Sequence, residues 1–289
     1  MRIATVLHDA SPDPDGTPLL PALALERDGS LYRVSALARA FGPRYKALFD
    51  EPPFHENVVA LRAEPLRELD ARLRAGERPS GARLVPGSFT WLPPCDADRA
   101  TLFHASSYSP GGAAPTFTIA SARSLLGHDT AVPVHPEEPL QVYGEVAALI
   151  AEDLERASPI EADRAVVGVT LLLRWRPGHR AQLGPVLVTR DEAPPLESLK
   201  TLFSVGSTPS QLSRAHAPTY SLAETVAWIS HHVPILAGDI VTTGPLPLCS
   251  ALESHSFTFD TVVSHAVDRI GRLRGRASQS PPITGWRTR

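Results

Sequence analysis

The sequence predicts an α+β protein, and three observations predict it. From residue 142 onward, short runs rich in Val, Ile, Leu and Thr recur between turn residues, the pattern of strands. One strongly signalled helix interrupts them: Ser221 stands before Leu222, and Glu224 follows three residues after the serine, which is a capping box. Ahead of this region, residues 2–42 read as a small β-rich unit, and residues 34–76 read as helical in pieces.

Residues 2–7 and 20–26 are strand-like, with turn residues at 12–16 between them. Arg27-Asp28-Gly29-Ser30 is a hairpin turn leading into Leu31-Tyr32-Arg33. Val58, Leu61, Leu66, Leu69 and Leu73 follow helical spacing, and Pro65 is expected to break that run. Residues 76–94 are rich in Pro, Gly and Ser and read as a linker, which divides the chain into a small N-terminal domain, 1–76, and a larger domain, 77–289. Residues 106–115 (Ser-Ser-Tyr-Ser-Pro-Gly-Gly-Ala-Ala-Pro) are expected to form a mobile loop without regular structure. Further strands are expected at 142–151, 166–173, 186–189, 202–205, 240–243, 261–267 and 273–277, and the helix at 222–231. His231 and His232 end that helix, where they complement its C-terminal dipole. Residues 278–289 are polar and expected to fray, and no internal repeat is present.

The 289 residues suffice for one large core, or a large domain with a small one beside it. A net charge of −3 provides no basic excess for neutralising phosphates, so nucleic-acid binding is not expected. No run of about 18 apolar residues occurs, which argues against a membrane-spanning helix. The first ten residues carry His8 and Asp9 and lack a basic stretch leading into an apolar run, so no secretory signal is expected and the location is cytoplasmic. Cys95 and Cys249 form neither a disulfide framework nor a zinc knuckle; buried or idle thiols are the expectation.

Four segments stand in order: Tyr143-Gly-Glu-Val-Ala-Ala-Leu-Ile-Ala; Gly168-Val-Thr with the strand behind it; Leu183-Gly-Pro-Val-Leu-Val-Thr-Arg-Asp-Glu192; and Trp228-Ile-Ser230 through Leu236-Ala-Gly-Asp-Ile-Val-Thr-Thr-Gly244. Together they resemble the fumarylacetoacetate hydrolase family. Asp260-Thr-Val-Val and Ile270-Gly-Arg-Leu resemble the family's closing strands. The resemblance covers the last two thirds strongly and the first third weakly. It implies a mixed β-roll curled around a pocket, preceded by a small β-rich N-terminal domain, in a homodimer. It also implies chemistry on β-dicarbonyl or 2-oxo acids, with Mg²⁺ or Ca²⁺ holding the oxo-carboxylate and stabilising an enolate.

The metal site is where this chain departs from the family. A hard divalent cation needs several oxygen ligands, and residues two apart on a strand face the same side, so Glu-x-Glu aims two carboxylates at one ion. Here the first position is Tyr143, a phenol; Glu145 keeps its place. The family's Asp, about six residues after the position of Gly168, is replaced by Arg174, and no Asp or Glu occurs anywhere from 164 to 190. Three carboxylates around a dication leave one negative charge, whereas Glu145 and Arg174 already cancel. No metal is therefore expected. Arg174 either replaces the metal as a fixed cation for a substrate carboxylate or enolate, or fills a dead site as a buried partner of Glu145.

Other changes run in the same direction. The family's lid His–Glu pair corresponds to His104-Ala-Ser-Ser-Tyr108, with no carboxylate before Asp129, and its lysine motif is replaced by Thr118-Ile-Ala120-Ser. His104 is either near the pocket or structural. Arg176, His179 and Arg180 give the loop after Arg174 either an anion preference or merely a solvated basic turn. Thr243-Gly244 matches the family's pocket Thr-Gly and is the least altered piece. The expected activity is metal-independent enolate chemistry (cyclisation, isomerisation, decarboxylation or C–C cleavage) on a small oxo-acid or β-dicarbonyl compound, in keeping with specialised biosynthesis. Glu145 is the expected proton acceptor, Arg174 the oxyanion holder, Tyr143 a hydrogen-bond donor, and His104 a further catalytic group. Thr243, Gly244, Tyr108 and Arg176 are the expected substrate contacts. The alternatives are a non-catalytic ligand- or partner-binding protein, and a conventional Mg²⁺ hydrolase.

Overall fold

The structure is a computed structural model that describes residues 1–8, 21–49, 58–59, 63–108, 113–134, 140–176, 180–206, 211–214, 218–246, 250–251 and 259–279. The chain opens with β1 (Arg2–His8), β2 (Pro21–Arg27) and β3 (Ser30–Arg33), then α1 (Val34–Phe41), a 3-10 turn (Pro43–Leu48) and α2 (Ala63–Arg74). It continues with β4 (Phe89–Leu92), β5 (Thr101–Ala105), β6 (Phe117–Ser121), the two-residue β7 (Leu125–Leu126) and β8 (Ala131–Val134). Then come β9 (Gln141–Ile150), α3 (Pro159–Ala165), β10 (Val166–Arg176), β11 (Arg180–Thr189), β12 (Lys200–Val205) and β13 (Gln211–Arg214). The last elements are α4 (Leu222–Ser230), β14 (Ile240–Thr242), β15 (Ser250–Ala251), β16 (Val262–Val267) and β17 (Gly271–Gln279). Strands dominate and helices are few, the mixed α+β class expected.

The large sheet runs β3-β2-β1-β11-β10-β9-β14-β5-β6, with β4 beside β1, β7 beside β11 and β15 beside β9. It is mixed: β14 runs parallel to β5, while β9, β10 and β11 pair antiparallel. A second sheet runs β13-β12-β16-β17-β8. The parts 1–76 and 77–289 share the large sheet through β1, which pairs with both β11 and β4.

Alternation along β9 and β10 sorts side chains to two faces. Val142, Val146, Leu171, Leu173 and Trp175 pack with Val263, Val267 and Leu273 of the second sheet. Ala147, Leu149 and Leu172 belong to the cluster under α1 and α2, with Leu37, Leu66 and Leu69. A buried glutamine ties the two sheets together. Gln182 accepts from Trp175 Nε1 at 3.0 Å and donates from Nε2 to the carbonyls of Gly127 (3.2 Å), Thr130 (3.0 Å) and Arg274 (3.4 Å).

Several expectations are corrected. Pro65 does not break its helix: it sits in the first turn of α2, where backbone N–H groups have no intrahelical acceptor to lose. Residues 76–94 are not a free linker. They contain β4, paired with Thr5–His8, and Leu84 N donates to Leu31 O at 2.8 Å. β10 extends to Arg176 and β11 begins at Arg180, so Arg174, Arg176 and Arg180 are strand residues; the loop between them, with His179, lies outside the described residues. Ser278 and Gln279 do not fray but finish β17 against Pro133 and Val134. The rest of that tail, the 12–16 turn and Cys249 lie outside the described residues; Cys95 is buried and free. The segment at 106–115 has no regular structure where described, yet Ser107 is buried, with Oγ 2.9 Å from Thr225 Oγ1. α4 is capped as expected: Glu224 N donates to Ser221 Oγ at 3.2 Å and Ser221 N to Glu224 Oε2 at 2.7 Å. His232 Nδ1 lies 2.8 Å from the carbonyl of Trp228 in the last turn of that helix.

Candidate active site

Pairing registers assemble the candidate site. Tyr143 lies directly across from Arg174, and Glu145 across from Leu172. On the other side of β9, Thr242 of β14 lies across from Ala147, and its opposite neighbour on β5 is His104. Since alternate residues share a face, Glu145, Arg174, His104 and Thr242 converge from four adjacent strands. Arg174 Nε is 3.2 Å from Glu145 Oε1, and His104 Nδ1 is 3.8 Å from Glu145 Oε2. Two residues distant in sequence thus meet at Glu145, the one carboxylate present of the three that the resemblance implies.

Glu145 is fully buried, and His104 is buried with 7% of its surface exposed. Burial opposes ionisation of Glu145 and is the largest single influence on it. His104, then Arg174, and to a smaller extent the Thr242 hydroxyl together outweigh burial and hold the carboxyl below its usual range, so it is ionised at neutral pH. Yet Glu145 Oε1 and Oε2, His104 Nδ1 and Arg174 Nε make no aligned hydrogen bond among the described residues. Attraction between these groups is close-range but directionally incomplete.

The remaining candidates distribute differently. Tyr143 donates its hydroxyl proton to Gln141 Oε1 at 2.7 Å, so it is not free to donate to a substrate. Its ring lies 5.5 Å from the Arg174 guanidinium and 5.9 Å from that of the exposed Arg176. The Thr243 hydroxyl is committed to main chain, with Val146 N and O each at 3.3 Å and Gly244 O at 3.0 Å. Gly244 serves close packing: at φ 78° its ideal Cβ would lie 2.5 Å from Ala105 O, and its N–H donates to Thr242 Oγ1 at 3.3 Å. Tyr108 packs with the cluster containing Val142 and Val146, on the opposite side of β9 from Glu145.

Sequence reasoning missed two residues. Thr242, not Thr243, is the threonine beside Glu145; the strand register decides this, and the sequence offers no signal for it. His265 of β16 is fully buried and lies against Gly144, whose ideal Cβ would be 2.9 Å from the ring. Burial pushes its pKa down to about 4, against a smaller opposing pull from Glu145. Neither ring nitrogen has a hydrogen-bond partner among the described residues.

The divalent cation that the resemblance implies does not fit this donor set. One carboxylate faces the site, the phenol at the second ligand position is bonded to Gln141, and a guanidinium stands 3.2 Å from the carboxylate, where it would repel a dication. Among the described residues no group of three His, Cys, Asp or Glu side chains is arranged to hold a metal.

Comparison with known proteins agrees with this geometry at the level of fold. Residues 178–277 match the family model described as fumarylacetoacetate (FAA) hydrolase, C-terminal. No curated protein matches the sequence. Similar solved structures include maleylpyruvate hydrolase from Sphingobium sp. SYK-6 in complex with manganese(II) and pyruvate (TM-score 0.71, 16% identity, 97% of this chain and 100% of that one). The fumarylacetoacetate hydrolase of Exiguobacterium antarcticum gives a TM-score of 0.69 at 16% identity, over 97% and 100% of the two chains. The 5-carboxymethyl-2-hydroxymuconate delta-isomerase of Mycobacterium smegmatis gives 0.65 at 17%, over 97% and 100%.

Proposed function

The matched C-terminal segment and the shared fold support a member of the fumarylacetoacetate hydrolase family, and from that premise we propose a metal-independent enzyme that enolises a small 2-oxo or β-dicarbonyl acid. The observation that carries the reading is the cluster of buried polar atoms around Glu145 that find no aligned partner within the protein. Buried charges in a purely structural pair are normally completed by hydrogen bonds. Here acceptor and donor capacity remains, and a ligand carboxylate and enol oxygen would complete it.

The geometry favours roles different from those read from the sequence alone. A carboxylate held below its usual range is a weak base, so Glu145 is not the proton acceptor. His104 takes that role. Its Nδ1 faces Glu145 at 3.8 Å, which leaves Nε2 to accept a proton from the carbon next to the carbonyl. Glu145 then stabilises the imidazolium, in the manner of the carboxylate in a His–Asp pair. Arg174 holds the developing enolate oxygen or the substrate carboxylate, the work a cation performs in this fold family. Arg176, exposed at the outer end of β10, contacts the substrate's distal acid. Tyr143 supports both guanidinium groups through its ring and not through its proton. The relatives named for oxo-acid hydrolysis and isomerisation favour this substrate class. The final bond change is cyclisation, isomerisation, decarboxylation or C–C cleavage, in a homodimer serving a biosynthetic pathway.

Deuterium exchange at the α-carbon of oxaloacetate and acetylpyruvate in D₂O tests enolisation whatever the final product. Exchange should survive EDTA, fall by about 10²-fold or more in His104→Ala, and show a raised KM in Arg174→Ala. Stoichiometric Mg²⁺ or Ca²⁺ in the purified protein, or loss of exchange on chelation, would overturn the metal-free mechanism. A second reading rests on the full burial of Glu145: a non-catalytic protein with a closed ion pair. Absence of exchange with every oxo-acid, together with unaltered ligand binding in Arg174→Ala, would favour it.

A further inference from the structure

Away from Glu145, a cavity of about 570 Å³ lies between the β2–β3 turn, β4 and the loop at 128–130. That volume falls within the usual range for small-molecule sites, about 300–1,000 Å³. Its aromatic lining is Phe89, Trp91 and His128. Phe89 stands at 77° to the Trp91 ring with centroids 5.4 Å apart, and His128 at 85° with centroids 5.3 Å apart.

The wall is rigidly built. Gly127 approaches β4 so closely that its ideal Cβ would lie 2.0 Å from Trp91 O. Asp129 takes a left-handed conformation, φ 58°, and its N–H donates to Arg274 O at 3.0 Å. In return, Arg274 N donates to His128 Nδ1 at 3.1 Å, which fixes the imidazole in its neutral form with the proton on Nε2.

The charges in the cavity are unequally spent. Asp129 is paired with Arg274 at 2.5 Å and lies 3.4 Å from His128 Nε2. Glu26 is paired with Arg2 and also accepts from Gly29 N at 3.0 Å. Arg83 lines the same cavity, is exposed, and has no ion-pair or side-chain hydrogen-bond partner among the described residues. Both acids are therefore neutralised and one cation is not. Aromatic surface beside an uncommitted guanidinium suits a flat anion, because the ring can pack on Trp91 and His128 while the carboxylate takes a forked pair of bonds from arginine.

We propose that this cavity binds a planar aromatic or conjugated monocarboxylate, with Arg83 as its anion anchor and Trp91 as its stacking surface. The site shares no residue with the Glu145 cluster, so the inference stands independently of the activity proposed there.

Titration calorimetry with cinnamate and its neutral counterpart cinnamamide provides the test. Cinnamate should bind one site per chain, and cinnamamide at least about tenfold more weakly, the worth of one charge-assisted contact. Arg83→Gln should weaken cinnamate by about tenfold, and Arg83→Glu by more; both changes are on an exposed side chain that leaves the core untouched. Trp91→Ala should weaken both ligands alike. The double variant Glu145→Gln/Arg174→Met, which removes the other candidate anion site without leaving a buried charge unpaired, should leave cinnamate affinity unchanged. The proposal fails if cinnamate shows no saturable binding up to about 10 mM, if Arg83→Gln leaves cinnamate affinity unchanged, or if binding disappears in the folded double variant.

Discussion

Arg174 lies 3.2 Å from Glu145 and is, after His104, the main group that keeps its carboxylate ionised. Removing one partner of a buried pair leaves an uncompensated charge, which typically costs about 3–5 kcal/mol. Arg174→Ala should therefore destabilise the fold by that order in urea unfolding, and the double variant Glu145→Gln/Arg174→Met should recover most of the loss. Additive losses in the cycle would mean that the two groups do not interact. Individual identities at this site were legible in the sequence: Glu145 kept, Tyr143 and Arg174 substituted, His104 without its lid carboxylate. What could not be read was which neighbour each would find. Thr242 and Thr243 are adjacent and identical in type, yet on a strand they face opposite ways, so a one-residue difference in register exchanges the pocket threonine for a structural one. The Tyr143 hydroxyl is likewise not the substrate donor expected, because Gln141, two residues away on the same face, accepts its hydrogen bond.

At the scale of elements, β9 is the strand on which the site depends. It presents Glu145 to one side and Gly144 to the other, where the His265 ring takes the space a side chain would fill. Gly144→Ala should cost about 1–3 kcal/mol by overpacking, and His265→Ala in the same chain should restore most of it; a neutral Gly144→Ala would show that the contact is soft. Most strands from 142 onward were legible because they are buried apolar runs bounded by turns. α3, absent from the expected elements, nonetheless starts on a signal: Ser158, Pro159 and Glu161 form a capping box with proline in the first turn. β4 was hidden in a Pro- and Gly-rich stretch, where local composition argued for a linker and long-range pairing with β1 overrode it. Pro65 illustrates the reverse error, since a helix breaker is harmless in a first turn.

For the whole molecule, packing the second sheet on the first buries His265 completely and His128 largely, and burial is the main reason both sit at about 4. The sign of the resulting pH dependence follows from linkage. Unfolded histidine titrates near 6.5, so between about 6.5 and 4 the unfolded chain binds more protons than the folded one. Stability is then complete above pH ~6.5 and declines as the pH falls towards 4, with His265 contributing about 3 kcal/mol to the loss. Unfolding midpoints measured across this range should flatten in His265→Leu; an unchanged slope would remove His265 as the cause. By itself the sequence determined the mixed α+β class, the family resemblance, and the presence of Tyr143 and Arg174 where that resemblance implies carboxylates, because these depend on residue types and local pattern. The tertiary structure alone decided that His104 and Arg174 flank Glu145, that Tyr143 spends its proton on Gln141, and that β1 joins the first strands to the sheet carrying the site. Each of those outcomes depends on pairing between strands far apart in the chain, where register and burial, not local propensity, set which groups meet.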